Sequence, residues 1–267
     1  MENILQTICD NKRLEVARQK EAAAISFLDY IASFQKRGKV SFRQALAASA
    51  SGVIAEFKRR SPSKGWIHAD ADVTGIVQDY EAAGAAAISC LTDEQFFGGG
   101  FKDFKKARAA ISRIPLLRKD FIVDEYQIYQ SKIMGADVIL LIAACLTKDE
   151  TVRFAALAHE LDMEVLLEIH SEEELPYIHP LIDVVGVNNR NLKTFATDVR
   201  HTIELAAKIP DTFLKISESG LSDPQTVVDL RKKGFSGFLM GENFMKTNQP
   251  GKTLSEFIGK VNELTSR

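Results

Sequence analysis

Val53-Ile54-Ala55-Glu56-Phe57-Lys58-Arg59-Arg60-Ser61-Pro62-Ser63-Lys64-Gly65 starts as a short apolar run and ends in a charged turn. The first five residues have the length and composition of a buried strand. Strand side chains alternate between faces, so Ile54, Glu56 and Lys58 point one way and Val53, Ala55 and Phe57 the other. An acid and a base buried at a strand's end are costly unless they pair or act on a ligand. Ser-Pro-Ser-Lys-Gly then turns the chain away. Chemistry is therefore sought first where this strand ends.

Downstream of it the chain alternates apolar runs with helical patterns. Strands are expected at Val53–Phe57, Ala85–Leu91, Pro115–Lys119, Asp137–Ile142, Glu164–Ile169, Asp183–Val187, Thr212–Ser217 and Gly237–Gly241. Helices are expected near 72–83, 101–112, 124–134, 148–161, 171–178, 198–208, 222–233 and 252–264. Gly84, Gly135 and Gly234 fall where left-handed caps stop helices before the next strand. Eight βα units predict one (β/α)8 TIM barrel, class α/β, with a doubly wound open sheet as the alternative. No Gly-x-Gly-x-x-Gly follows the first strand and no Walker loop is present, which removes the usual signatures of an open nucleotide-binding sheet. Upstream, Leu5, Ile8, Leu14, Val16 and Ala17 mark an amphipathic helix, and a second helical stretch covers roughly 22–36 and ends at Gly38. The expected organisation is an N-terminal helical extension, residues 1–50, packed on a catalytic barrel, residues 51–267.

Composition narrows the partners. With 34 basic and 36 acidic side chains, nothing argues electrostatically for nucleic acid or an anionic membrane. Three cysteines, Cys9, Cys90 and Cys145, have no paired spacing, so a reducing compartment is expected, with each thiol packing as a small apolar group. The N-terminus carries no export pattern, and the longest apolar run, 138–146, is too short to span a bilayer. A soluble, cytoplasmic monomer is expected. The five histidines are scattered and read as surface or satisfied residues, and no metal is assigned.

In a barrel, chemistry sits at the C-terminal ends of the strands. Strand one ends in Glu56 and Lys58, and strand three carries Lys119 in phase with Leu117 and Phe121. Strand five ends in Glu168, strand six in Asn188 before Asn189-Arg190-Asn191, strand seven in Glu218-Ser219-Gly220 and strand eight in Gly241-Glu242. Any one of these reads as a solvated rim residue; six together converge on one mouth. Two amines beside three carboxylates suit proton transfer, and a Schiff-base lysine is the competing role. Ser219-Gly220 and Met240-Gly241-Glu242 stand where many barrels bind phosphate through backbone N–H groups. Phe96-Phe97-Gly98-Gly99-Gly100 is expected to be a mobile loop; it either covers an aromatic substrate or lies on the surface with one ring pinned to a helix.

At this level of detail the chain resembles indole-3-glycerol phosphate synthase. The segments that carry the resemblance are residues 54–65, Leu91-Thr92-Asp93 with Phe96, Phe97 and Gly99, and Leu117-Arg118-Lys119-Asp120-Phe121-Ile122. They continue through Leu167-Glu168-Ile169, Gly186-Val187-Asn188-Asn189-Arg190-Asn191-Leu192, Ser217-Glu218-Ser219-Gly220 and Phe238-Leu239-Met240-Gly241-Glu242. Ile8, Lys12, Arg13, Glu15 and Val16 resemble the family's extra helix. The chain departs at Gly100, where members often have Ser. A second barrel, to which some relatives are fused, is not found in this sequence.

The resemblance implies closure, decarboxylation and dehydration of 1-(2-carboxyphenylamino)-1-deoxyribulose 5-phosphate to indole-3-glycerol phosphate, without cofactor or metal. It implies Lys119 as general acid and Glu168 as its acid/base partner. Lys58 would contact the substrate's carboxylate or phosphate, and Glu56, Asn188 and Glu218 would orient the catalytic groups. Arg190, Ser219, Gly220, Gly241 and Glu242 would surround the phosphate. Ser61 and Phe121 complete the expected binding set, with Phe96 or Phe97 and Leu141 as further apolar walls. An isomerase barrel is the first rival; related isomerases use a Cys/Asp pair at the ends of strand one and of strand five or six, and Glu-x-Lys at the end of strand one opposes it. A binding protein without turnover is the second, opposed by Lys119 and Glu168 together.

Overall fold

Short apolar runs that are buried on both faces have no solvent side on which to alternate, and this is how parallel barrel strands are built. A computed structural model describes residues 4–190, 197 and 199–266. Its strands are β1 (Val53–Phe57), β2 (Ala87–Leu91), β3 (Leu116–Lys119), β4 (Val138–Ile142), β5 (Glu164–Ile169), β6 (Val184–Asn188), β7 (Leu214–Glu218) and β8 (Phe235–Met240). Each pairs in parallel with its sequence neighbours, and β8 closes on β1 through Val53–Phe238, Ile54–Leu239 and Ala55–Met240. The result is a closed (β/α)8 barrel, and the open-sheet alternative is excluded.

The helices follow the sequence expectation closely, with instructive exceptions. Gly135 ends the helix Glu125–Met134 at φ +84°, a left-handed cap that costs glycine nothing. The unit expected at 171–178 is a 3-10 helix, Glu172–Tyr177, because Pro176 lacks the N–H that an α-helix needs. The expected glycine loop after β2 instead contains a helical turn, Glu94–Phe97, capped by Asp93, whose carboxylate accepts the Phe96 N–H at 2.8 Å. Arg60–Ser61 and Gly65–Trp66 form a small antiparallel hairpin after β1. Asn191 and Leu192, and position 198 where a helix was expected to begin, lie outside the described residues.

Three helices precede the barrel: α1 (Ile4–Ala22), α2 (Ile25–Ser33) and α3 (Phe42–Ala48). The second stops before position 36, and α3 is an addition to the sequence reading. In α3, Phe42 and Leu46 are fully buried, and Ser41 caps the helix while donating to Glu164 Oε1 at the start of β5. Helix α1 lies at the opposite end. It buries Leu5, Ile8, Cys9 and Val16 as expected, but Leu14 is 60% exposed while Lys12 is 1% exposed. Lys12 Nζ reaches Glu15 at 2.8 Å, Asp93 at 3.0 Å and Asp120 at 3.2 Å, so its charge is neutralised where it is buried. All three cysteines are free and buried, and the Cys9 thiol on α1 donates to Cys145 Sγ after β4. Among the described residues no helix is long and apolar enough to cross a membrane.

Candidate active site

The strand ends open into one cavity of about 500 Å³. Its walls include Glu56, Lys58, Lys119, Phe121, Glu168, Asn188, Arg190, Glu218, Ser219, Gly220, Gly241 and Glu242, so twelve of the thirteen expected site residues meet there. Ser61 does not: it is buried in the hairpin and its neighbours Pro62, Ser63 and Lys64 face the cavity. Phe97 rather than Phe96 reaches the wall, 5.8 Å from the ring of Phe121. Leu141 points away from the cavity, which Leu140 and Ile142 line by the same alternation that carries Glu168 inward.

Lys119 is the centre of the polar network. Its ammonium donates to Glu218 Oε2 at 2.6 Å and to Glu168 Oε2 at 3.1 Å. Burial alone would lower its pKa, but Glu218, Glu168 and Glu56 outweigh burial and hold it above the ordinary lysine value. A lysine kept protonated is a poor imine-forming nucleophile but carries the proton that a general acid must hold, so the geometry favours the second role over the first.

Glu168 takes Asn188 Nδ2 on Oε1 at 3.0 Å, with His170 Nε2 3.1 Å from the same oxygen. Burial opposes its charge, yet Lys119, His170 and Asn188 keep its carboxyl well below the usual range. Glu218 moves the other way. Burial, reinforced by Glu168 and Glu56 against the pull of Lys119, raises it to about 7. Two carboxylates on one lysine are thus pushed in opposite directions by their surroundings. Glu218 Oε1 is buried without a hydrogen-bond partner and fills the space where a side chain on Gly186 would stand.

Across the mouth, Lys58 Nζ donates to Glu56 Oε1 at 2.6 Å, so the pair that closes β1 is internally neutral. A Cβ on Gly241 would lie 2.7 Å from that same Glu56 oxygen, which ties the strand-eight glycine to the strand-one acid. Ser219 holds a left-handed φ of +71°, uncommon for a residue with a Cβ. Asn189 restrains that turn, donating from Nδ2 to the Ser219 carbonyl at 2.6 Å. Arg190 Nη1 reaches Ser63 Oγ at 3.4 Å, linking the loops after β6 and β1.

Sequence reasoning missed several wall and support residues. Leu5 and Ile8 of α1 line the cavity, as do Lys64 and Lys246. Asp120 accepts from Arg118 at 2.9 Å and Thr92 at 2.6 Å besides contacting Lys12. Burial would raise its carboxyl, but Lys12 and Arg118 bring it down to about 2. His170 was read as a bland histidine, although its position two residues beyond Glu168 puts it in phase with the cavity face.

A closed parallel barrel with a charged, partly aromatic cavity at its strand ends defines a (β/α)8-barrel enzyme acting on a small molecule. The family profile described as Indole-3-glycerol phosphate synthase matches residues 5–257. A protein of that name from Bacteroides thetaiotaomicron is 55% identical over 261 residues, covering 98% of this chain and 100% of that protein. The chain belongs to the indole-3-glycerol phosphate synthase family, carboxy-lyases of tryptophan biosynthesis.

A protein of the same name from Polaromonas sp. is 43% identical over 263 residues, covering 97% of this chain and 99% of its own. Among solved structures, thiamine phosphate pyrophosphorylase from Pyrococcus furiosus superposes with a TM-score of 0.62 at 14% identity, covering 84% of this chain and 99% of that one. The tryptophan synthase complex from the same organism gives 0.57 at 15%, covering 79% and 97%. At such identities these two speak for the barrel alone.

Proposed function

We propose the following division of labour for the family's reaction in this chain. Lys119 protonates the ribulose carbonyl as the ring carbon attacks it. The cationic imine formed on closure is the electron sink for loss of carbon dioxide; the hydroxyl made from the carbonyl then leaves as water with a proton from Lys58, and Glu168 takes the ring proton whose removal restores aromaticity. Lys58 binds the substrate's carboxylate or phosphate and Glu56 holds Lys58. Asn188 and Glu218 orient Glu168 and Lys119. Arg190, with the backbone at Ser219, Gly220, Gly241 and Glu242, holds the phosphate, while Phe121 and Phe97 hold the anthranilate ring. A Glu side chain would repel that phosphate, so Glu242 contributes only its N–H. Fixing both ends of the substrate pre-positions the ring against the carbonyl, an effect worth roughly 7–11 kcal/mol at best.

The observation that carries this reading is the Lys119 ammonium bridging Glu168 and Glu218 on the cavity wall, in a chain of this family. The same proposal takes residues 1–50 as an extension packed on the barrel, with α1 at the mouth and α3 at the other end, and residues 51–267 as the catalytic barrel, in a cytoplasmic monomer. The test is incubation with the carboxyphenylamino ribulose phosphate in the absence of added metal. Appearance of indole fluorescence is expected. Silence, with isomerisation of a ribosyl or ribulosyl phosphate in its place, overturns the reading.

A further inference from the structure

Among the described residues, His170 is the one titratable group touching Glu168 that the proposed chemistry does not use. It lies just past β5, its side chain 10% exposed, with Nε2 3.1 Å from Glu168 Oε1 and Nδ1 3.6 Å from Glu174 Oε2. Among the described residues neither ring nitrogen makes a well-aligned hydrogen bond, so the ring is held by charge between two carboxylates. Glu174 is itself fixed, since Oε2 accepts the His170 backbone N–H at 2.6 Å. On the next element, the helix Val199–Ala206, His201 Nε2 meets the His170 carbonyl at 3.0 Å and leaves the ring untouched. Asn188 donates to the same Glu168 oxygen and Lys119 to the other, so three side chains hold Glu168.

We propose that His170 is a positioning residue for Glu168: as an imidazolium clamped between Glu168 and Glu174, it fixes the carboxylate that faces Lys119 and the cavity. This rests on Glu168 acting in the family's reaction as set out above. A charge is needed in this role because donation to Oε1 is already supplied by Asn188. Burial alone would strip the ring of its proton; Glu168 and Glu174 reverse this and raise its pKa to about 9. The clamp is therefore closed below that pH and opens as pH rises through it. Glu218 titrates nearer neutrality, and its limb is recognised as one that changes at position 170 leave in place.

The experiment compares wild type, His170→Gln and Glu174→Gln. Gln keeps a donor at position 170 and removes the charge. In His170→Gln, kcat falls about tenfold or more while KM stays within about twofold, as expected when a reacting group is displaced and binding is not. The limb of kcat/KM near pH 9, which reports the free enzyme, disappears. In Glu174→Gln the same limb moves down toward the ordinary imidazole value, because one of the two carboxylates holding the proton is gone. Proton NMR of the His170 ring in the ligand-free wild type and Glu174→Gln proteins follows the same shift without any substrate. Wild-type kinetics in His170→Gln, or a loss of kcat uniform across pH with the limb near 9 intact, overturns the proposal, as does an NMR midpoint that Glu174→Gln leaves unmoved. An inactive wild type whose NMR midpoint is high and falls in Glu174→Gln overturns the functional reading alone and supports the clamp.

Discussion

Both ends of the barrel bury carboxylates, and they use them in opposite ways. At the N-terminal end, Asp137 accepts Arg37 at 2.7 Å, Arg108 at 2.7 Å, and the backbone N–H groups of Val40 and Leu116 at 2.8 Å. Glu164 there accepts Ser41 and the Arg43 N–H, and Asp183 accepts the Val165 N–H and faces His159. These acids tie strand starts to backbone, and each oxygen of Asp137 has two donors. At the C-terminal end, Glu56, Glu168 and Glu218 are held by lysine ammonium groups, and among the described residues Glu218 keeps one oxygen unpaired beside a cavity. Burial of charge by itself does not mark a functional site. Partners that can exchange for a substrate do.

The sharpest way to break the comparison is at Lys119. Lys119→Met is expected to lower kcat by roughly 10²–10⁴ or more, the span of general acid catalysis, while a non-reacting substrate analogue binds nearly as before. Steady-state kinetics and calorimetry check this, and unchanged turnover would remove Lys119 from the chemistry. Asp137→Asn should do the reverse. It leaves Arg37 and Arg108 facing an amide, so chemical denaturation should show a loss of about 3–5 kcal/mol, with kcat per folded molecule unchanged. A kcat change there would erase the distinction between the two ends.

Lys12 tests the boundary, because α1 belongs to the mouth but is held by a structural ion cluster. In Lys12→Met, Asp120 keeps Arg118, so the expected cost is smaller, about 1–3 kcal/mol, together with a several-fold rise in KM as Leu5 and Ile8 loosen. The sign with pH follows from the depressed Asp120. Its contribution is complete above the ordinary aspartate pKa of about 4 and is lost as pH falls toward about 2. The acid-unfolding midpoint should therefore rise in Lys12→Met, and a midpoint at the wild-type pH would detach Lys12 from Asp120.

The barrel was legible because each strand is an apolar run closed by a glycine or polar turn, and its mouth was legible because Glu56, Lys119, Glu168 and Glu218 fall at matching strand ends. What stayed hidden depends on partners remote in sequence. Lys12 lies one turn from both Ile8 and Val16, on the buried face, and its charge hides it from a hydrophobic count; Asp93 and Asp120 come to it and neutralise it there. Leu14, counted as apolar face, lies about 180° round the helix from Leu5 and is left outside by that geometry alone. The helix Phe42–Ala48 is too short to establish a period, and its register comes from Glu164 far along the chain. Ser61 was placed in the site by its segment, whereas the turn it sits in carries its neighbours to the cavity instead.

The thiol contact between Cys9 and Cys145 spans 136 positions of chain. A polypeptide grows from its N-terminus at about 5–20 residues per second, so α1 waits on the order of ten seconds for that surface to exist. Lys12 has Glu15 at once and gains Asp93 and Asp120 during this time, while Cys9 has to wait for Cys145. The segment that is made first is thus seated only after half the barrel has followed it, and the mouth is completed from its oldest end.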